Sequence, residues 1–136
     1  MLDDLFAVAL AVRERAYAPY STFKVGAAIR GASGEIYAGC NVENAAYPQG
    51  ACAEAGAIAA MVAAGERRIA EVAVLGWTDA RPHAPGLTTP CGGCRQRLRE
   101  FAPLTARIHV FGPEGLRQTF ALEELLPASF GPENLA

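Results

Sequence analysis

The amino-acid sequence predicts an α/β fold, arranged as a three-layer α/β/α sandwich. Residues 69–77 form a near-continuous apolar run, which is typical of a central strand covered on both faces. Segments with helical periodicity lie before and after this run, between other strand-like segments. The chain has 136 residues, of which 51% are hydrophobic, so we expect residues 1–136 to form one domain around one core.

The first predicted elements are a helix and a hairpin. The helix spans residues 3–16, where apolar side chains recur every three or four positions. The hairpin has strands at residues 24–30 and 35–41, joined by a glycine-containing turn at 31–34. Cys40 falls in the second of these strands, where we expect a buried structural thiol.

A second helix is predicted over residues 52–64 and is stopped by Gly65. It is rich in alanine and has little polar surface after Glu54, so we expect it to be buried on most sides. The position of Cys52 at its start should lower the pKa of that thiol through the helix dipole. The remaining predicted elements are a helix from Cys91 to about residue 101, strands at 106–111 and 116–120, and a short helix at 123–126.

Composition and charge exclude several classes of function. The formal net charge is −2 and the chain lacks a long basic run, which disfavours a polynucleotide partner and suits a small uncharged substrate. No apolar run reaches the ~18 residues that a membrane span needs. The acidic N-terminus is unlike a signal peptide, so we expect a cytoplasmic protein. In that setting, four cysteines indicate metal binding or catalysis more than disulfides.

Three of these cysteines have the spacing of a zinc site. Cys91 and Cys94 form a Cys-x-x-Cys pair that can hold one metal ion from a single turn, and Cys52 would be the third ligand. A fourth position left to water is typical of catalytic zinc, and Glu54 stands where a general acid and base would be useful. The alternative is a structural zinc clamp between two helices, which would need a fourth protein ligand. Neither His83 nor His109 lies near a ligand in the sequence, so we expect neither to complete such a site.

With these motifs, the chain resembles the small, homotetrameric cytidine deaminases. The resemblance runs nearly end to end, and Cys-x-Glu followed by Pro-Cys-x-x-Cys is the signature of the wider zinc deaminase superfamily. The matching pieces are Tyr-Ser-Thr-Phe at 20–23, Val-Gly-Ala-Ala at 25–28, Gly-Cys-Asn-Val-Glu-Asn-Ala-Ala-Tyr-Pro at 39–48, Cys-Ala-Glu at 52–54, Pro-Cys-Gly-Gly-Cys-Arg-Gln at 90–96, and Leu-Glu-Glu-Leu-Leu-Pro at 122–127 with Phe130.

The resemblance implies a mixed five-stranded sheet, one zinc ion per subunit, and hydrolytic deamination of free cytidine and 2′-deoxycytidine in pyrimidine salvage. It also implies roles for particular residues. Asn41 and Glu43 match residues that bind the ribose hydroxyls, and Phe23 matches an aromatic that packs on the base. The backbone of Ala53 should read the pyrimidine edge. Tyr47 and the C-terminal Phe130 are expected near the junction where neighbouring chains of a homotetramer complete each site.

One position departs from many members of this family. Where they often carry arginine or glutamine directly after the catalytic glutamate, this chain has Ala55. Three thiolates on Zn²⁺ leave one net negative charge, and Arg95, directly after Cys94, is the candidate to offset it.

Two other functions remain open at the level of sequence. One is deamination of a nucleoside-like antibiotic such as blasticidin S, which uses the same cysteine and glutamate pattern. The pairing of Asn41 with Glu43 favours a ribose-bearing substrate instead. The other is a non-enzymatic zinc module that binds protein or nucleic acid, which the missing fourth ligand and the weak positive charge disfavour.

Overall fold

The longest strand, β3 (Ile69–Thr78), is the central strand of a five-stranded sheet in the computed structural model, which describes residues 2–136. The other strands are β1 (Phe23–Gly31), β2 (Ile36–Cys40), β4 (Arg107–Gly112) and β5 (Gly115–Ala121). The helices are α1 (Leu2–Arg13), α2 (Ala53–Ala63), α3 (Gly92–Phe101) and α4 (Leu122–Leu125), and short 3-10 helices span Tyr47–Gln49 and Pro132–Leu135. All the predicted elements form, with ends shifted by up to three residues. Within residues 2–136, no helix is both long and apolar enough to cross a membrane.

The sheet is mixed, as the resemblance implied. Its strand order is β2-β1-β3-β4-β5. Strands β3 and β4 are parallel and the other neighbouring pairs are antiparallel. A parallel pair needs a crossover connection, and here the crossover contains α3. This crossover carries Cys91 and Cys94, so the topology itself brings one half of the candidate site to the end of β3.

Alternating side chains divide the core into two layers on opposite faces of the sheet. One layer joins strand residues to α2, α3 and α4; its members include Ala27, Ile29, Val72, Val74, Ile108, Val110, Ala57, Met61, Leu98 and Leu122. The other joins the opposite strand face to α1; its buried members are Leu5, Ala9, Ala28, Ala73, Leu75 and Phe111. Because helices cover both faces, the fold has the three predicted layers.

Helix α1 ends at Arg13, whereas the sequence pattern had indicated an end at residue 16. The Arg13 side chain is 1% exposed, donates a hydrogen bond of 2.6 Å to the carbonyl oxygen of Trp77, and lies 4.2 Å over that indole ring. Beyond it, Tyr17 pairs with the loop after β2, since its N–H donates to Asn41 and its carbonyl accepts from Glu43. Tertiary pairing therefore ends the helix early and fixes the loop that carries two predicted substrate residues.

Helix α2 is less buried than its composition indicated. One side lies in the core, where Ile58 is 9% exposed and Met61 is fully buried. The other side is exposed, and consists of Ala59, Ala60, Ala63 and Ala64. The expectation of burial on most sides is therefore wrong for the single chain, because the sheet covers one side of the helix only.

Close approach of α2 to β2 depends on Gly39. A Cβ at this position would overlap the backbone of Ala53 and Ala57, whereas a Cβ on Gly56, across the same contact, would lie 3.5 Å from the Cα of Gly39. We therefore expect Gly39→Ala to destabilise the fold by about 1–3 kcal/mol through overpacking. The matched variant Gly56→Ala should be neutral or stabilising by up to ~1 kcal/mol, because alanine favours a helix interior. Urea unfolding of both variants checks this asymmetry, and equal losses of stability would contradict it.

Candidate active site

Three cysteine sulfurs meet where the N-termini of α2 and α3 come together. Cys52 and Cys91 are the N-cap residues of these two helices, and Cys94 lies in the first turn of α3. The three Sγ atoms all lie within 4.8 Å of one another, and those of Cys52 and Cys91 are 3.9 Å apart. The predicted ligand set is thus brought together from segments nearly forty residues apart in the sequence.

The spacing of these sulfurs fits a zinc ion. Zn–S bonds of about 2.3 Å in a tetrahedron place ligand sulfurs about 3.8 Å apart. Among residues 2–136, the three cysteines form the only group of three or more metal-ligating side chains this close together, and no fourth protein ligand joins them. His109 is held elsewhere, by Thr119 at 2.8 Å and Glu71 at 2.8 Å. Three protein ligands are the arrangement of catalytic zinc, whereas a structural clamp would fill the fourth position.

Burial and local hydrogen bonds set different pKa values for the three thiols. Burial raises the pKa of Cys52 and of Cys94, which is fully enclosed. The backbone N–H of Cys94 donates toward Cys91 and lowers the pKa of that thiol. The position of Cys52 at the helix start was expected to lower the pKa of its thiol, whereas burial is the largest influence there and raises it.

Glu54 is the buried carboxyl beside this cluster. It lies in the first turn of α2, is 4% exposed, and lines the same cavity as Cys52 and Cys91. Burial raises the pKa of its carboxyl, against smaller opposing contributions that include the Cys94 thiol and the positive charge of Arg97. Cys52 precedes the helix, so the two side chains are not bound by the rule that positions i and i+2 of a regular helix face apart.

The cavity in front of the cysteines has a volume of about 340 Å³, within the range of small-molecule sites. Its lining residues are Val25, Asn41, Val42, Glu43, Tyr47, Gly50, Ala51, Cys52, Ala53, Glu54, Thr88, Thr89 and Cys91. A second cavity of about 400 Å³ adjoins it and shares Glu43, Tyr47 and Gly50. Sequence reasoning missed Thr88 and Thr89; their place directly before the Pro-Cys-x-x-Cys motif was the available signal.

Asn41 and Glu43 are both held in place at this cavity. The Asn41 side chain accepts from the Val25 N–H at 2.8 Å and donates to the Phe23 carbonyl at 2.8 Å. The Glu43 carboxylate accepts hydrogen bonds from the N–H of Tyr20 at 2.9 Å and from the N–H and hydroxyl of Ser21. The Ser21 hydroxyl keeps the pKa of Glu43 below its usual range, so this acceptor is ionised at neutral pH.

The other predicted substrate residues divide into two groups. Ala53 and Tyr47 line the cavity; Tyr47 is 74% exposed and makes an edge contact with Tyr20. Phe23 and Phe130 are not among its lining residues. Phe23 lies along a different cavity with Trp77, and Phe130 is 58% exposed near the C-terminus.

The predicted charge-tuning residue, Arg95, is engaged by the backbone. Its guanidinium donates to the carbonyl oxygens of Pro90 at 2.7 Å and Leu125 at 2.8 Å, and to the Thr89 hydroxyl at 3.1 Å. Arg97 has the contact that sequence reasoning missed, with its Nη1 3.7 Å from the Cys94 sulfur. Spacing of three residues on one helix was the signal for this neighbour.

Cys40 is only half-buried in β2, contrary to the expected full burial. It is not part of the metal-ligating group. We therefore expect Cys40→Ala to keep bound zinc at one ion per chain and activity within about threefold of the parent. Metal analysis by mass spectrometry, run beside an activity assay, checks this. Loss of zinc in this variant would contradict the ligand set.

A family model and a curated relative both match this chain to the cytidine deaminases. The family model for the cytidine and deoxycytidylate deaminase zinc-binding region matches residues 2–110. A cytidine deaminase of Sporosarcina psychrophila is 37% identical over 99% of this chain and 95% of its own length.

Solved structures are similar over almost the whole chain as well. The crystal structure of cytidine deaminase from Burkholderia pseudomallei matches with a TM-score of 0.85 and 40% identity, covering 96% of this chain and 99% of that one. The structure from Mycobacterium tuberculosis matches with a TM-score of 0.77 and 34% identity, covering 95% and 96%. With zinc as its cofactor and a three-cysteine cluster able to hold it, this chain belongs to the cytidine deaminase family of hydrolytic deaminases.

Proposed function

We propose that the protein deaminates free cytidine and 2′-deoxycytidine, giving uridine and 2′-deoxyuridine with ammonia. The observation that carries this proposal is the buried Glu54 carboxyl beside three converging cysteine sulfurs, at a cavity of about 340 Å³. Relatives named as cytidine deaminases, which match nearly the full length of the chain, support the choice of substrate.

The reaction adds water to C4 of the pyrimidine and releases ammonia, and its proton transfers fall to Glu54. When bound by Cys52, Cys91 and Cys94, zinc supplies Lewis acidity that lowers the pKa of water. Glu54 accepts the proton of the attacking water and delivers one to ring nitrogen N3. The same carboxyl then serves the departing amino group, because these steps are sequential. Burial of Glu54 excludes bulk water that would compete for the proton.

The cavity supplies the groups that would orient the nucleoside. Glu43 offers an ionised carboxylate to a ribose hydroxyl, and Asn41, fixed by two backbone contacts, presents its amide beside it. Ala53 is the first residue of α2, so its N–H has no partner within the helix and can bond the pyrimidine edge. Tyr47, which lines the cavity, is proposed to pack on the substrate. Phe23 lies outside this lining, and its carbonyl oxygen helps to fix the Asn41 amide.

A substrate panel tests this function against the antibiotic alternative. The purified zinc protein is assayed with cytidine, 2′-deoxycytidine, cytosine and blasticidin S. We expect turnover of both nucleosides, with cytosine at least 100-fold slower because it offers no hydroxyl to Asn41 and Glu43. Turnover of blasticidin S without turnover of cytidine would establish the alternative function.

We further propose that the chain works as a homotetramer. Large apolar side chains are exposed around the cavity mouth, including Tyr20, Val42 and Tyr47, and the outer side of α2 is a run of exposed alanines. Closed symmetric assemblies commonly bury such surfaces. In this assembly, Phe130 contributes to the site of a neighbouring chain. Ile58 and Met61 face the core, so substituting them would test stability and not assembly.

Sedimentation equilibrium at low micromolar concentration, beside an activity assay, tests the assembly. We expect the mass of four chains for the active species. A fully active species with the mass of one chain would contradict both the homotetramer and the shared site.

We propose that residues 1–136 act as one catalytic domain in the cytoplasm, in salvage of free pyrimidines. The two halves of the site come from α2 and α3, which lie on one face of the same sheet. Expression in a pyrimidine-requiring strain that lacks its own cytidine deaminase should permit growth on cytidine as the pyrimidine source. Failure to grow, with active protein present in the cells, would contradict the role in salvage.

A further inference from the structure

The zinc site has a charge that its own ligands do not balance. Three thiolates around Zn²⁺ leave one net negative charge, and Glu54 adds a carboxyl within the same buried space. Helix α2, from Ala53 to Ala63, contains no lysine or arginine, so a compensating cation cannot come from that side. Any side chain that offsets the charge from within the two site helices must therefore come from α3.

We propose that Arg97 is the residue that offsets this charge, by donating a hydrogen bond from its guanidinium to the Cys94 sulfur. The inference rests on the three-cysteine metal set proposed above. Arg97 Nη1 lies 3.7 Å from Cys94 Sγ, a hydrogen-bonding distance for sulfur. Hydrogen bonds from partners outside the ligand set tune a metal centre through its ligands.

Geometry on α3 explains the contact. Arg97 follows Cys94 by three positions, so the two side chains are neighbours on one face of the helix. Cys94 is fully buried while Arg97 is exposed, so the long side chain lies over the sulfur and keeps its charge within reach of solvent. A hydrogen bond to a charged sulfur is also stronger than one between neutral groups.

The other two arginines of α3 have different partners. Arg95 is directed to the backbone of Pro90 and Leu125, and holds the segment before Cys91 against the C-terminal region. Arg99 donates to Ser129 at 2.8 Å and pairs with Glu133. Among the three, the described contacts connect only Arg97 to a ligand sulfur.

This arrangement gives Arg97 a positioning and tuning role that does not require contact with substrate. Its positive charge withdraws electron density from Cys94 and stabilises the loaded, negatively charged cluster. Removing it should make the sulfur a stronger electron donor and the bound metal easier to lose. Partners of this kind typically change metal affinity by roughly 10–100-fold.

Cobalt(II) substitution measures sulfur donation directly. The chain is loaded with cobalt, and the sulfur-to-cobalt charge-transfer absorption is recorded for the parent, Arg97→Gln, Arg97→Lys and Arg95→Gln. A more electron-rich sulfur gives up its electron at lower energy, so we expect the Arg97→Gln band at longer wavelength. Arg97→Lys, which keeps the charge, should return the band toward the parent position. The matched control is Glu100→Gln, an exposed one-unit charge change on the same helix, which should leave the band unmoved.

Zinc release to a chromophoric chelator gives a second readout. We expect roughly tenfold faster release from Arg97→Gln than from the parent or Glu100→Gln. An unmoved cobalt band and unchanged release in Arg97→Gln would overturn the proposal, as would a band that moves only in Arg95→Gln. A parent protein without sulfur-to-cobalt absorption would instead overturn the metal set itself, and with it this inference.

Discussion

Replacing Glu54 with glutamine is expected to lower the rate of cytidine deamination by at least ~10²–10⁴-fold, the usual value of general acid and base catalysis. The loss should be at the upper end, because one carboxyl serves several proton transfers. Glutamine has nearly the same size, so the 4% exposed position should remain packed and the three sulfurs should keep their zinc. Rate assays beside zinc analysis measure both effects.

Glu123→Gln is the matched control for this change, since Glu123 is an exposed carboxylate at the start of α4. It should retain parental activity. A Glu54→Gln protein that holds one zinc ion and works within tenfold of the parent would remove Glu54 from the proton-transfer role.

Replacing Cys94 with alanine is expected to reduce bound zinc below a tenth of an ion per chain and to lower the stability of the fold. Cys94, in the first turn of α3, is the one ligand whose side chain is fully buried. A ligand held a thousandfold above its dissociation constant stabilises the native state by about 4 kcal/mol, and this contribution disappears with the metal. Cys91→Ala should act in the same direction.

A chelator separates metal loss from lost packing. Thermal unfolding is followed for the parent, Cys94→Ala and the half-buried control Cys40→Ala, each with and without chelator. Chelator should lower the Tm of the parent and of Cys40→Ala, and should leave that of Cys94→Ala unchanged. A chelator-dependent fall in Tm of similar size in Cys94→Ala would show that zinc binds without this sulfur.

Much of the fold follows from local patterns in the sequence. The apolar run at residues 69–77 predicts the central strand, because a strand buried on both faces has apolar side chains at successive positions. The Cys-x-x-Cys and Cys-x-Glu motifs predict the three metal ligands and the neighbouring carboxyl group. Cysteine pairs at this spacing are typical zinc ligands, and the glutamate completes the deaminase signature. These predictions needed no knowledge of which segments meet in space.

The features that the sequence did not predict depend on contacts between distant segments. Helix α1 ends early where the backbone of Tyr17 pairs with Asn41 and Glu43, more than twenty positions away. The charge near Cys94 comes from Arg97 and not from its neighbour Arg95, since the latter is drawn to backbone carbonyls of two other segments. The i, i+3 spacing indicates the contact of Arg97 with Cys94, but periodicity and spacing contain no information about the distant partners of Tyr17 and Arg95.

We infer that this chain deaminates cytidine through zinc held by its three cysteines, and metal reconstitution is the most direct test. Zinc is removed from the purified protein with a chelator, the chelator is dialysed away, and zinc is added back in steps while the fall in cytidine absorbance is followed. We expect no turnover without metal and a rate that rises linearly to a plateau at one zinc ion per chain, with uridine and ammonia formed in equal amounts. Full activity in the metal-free protein, or no uridine from the fully reloaded protein, would contradict it.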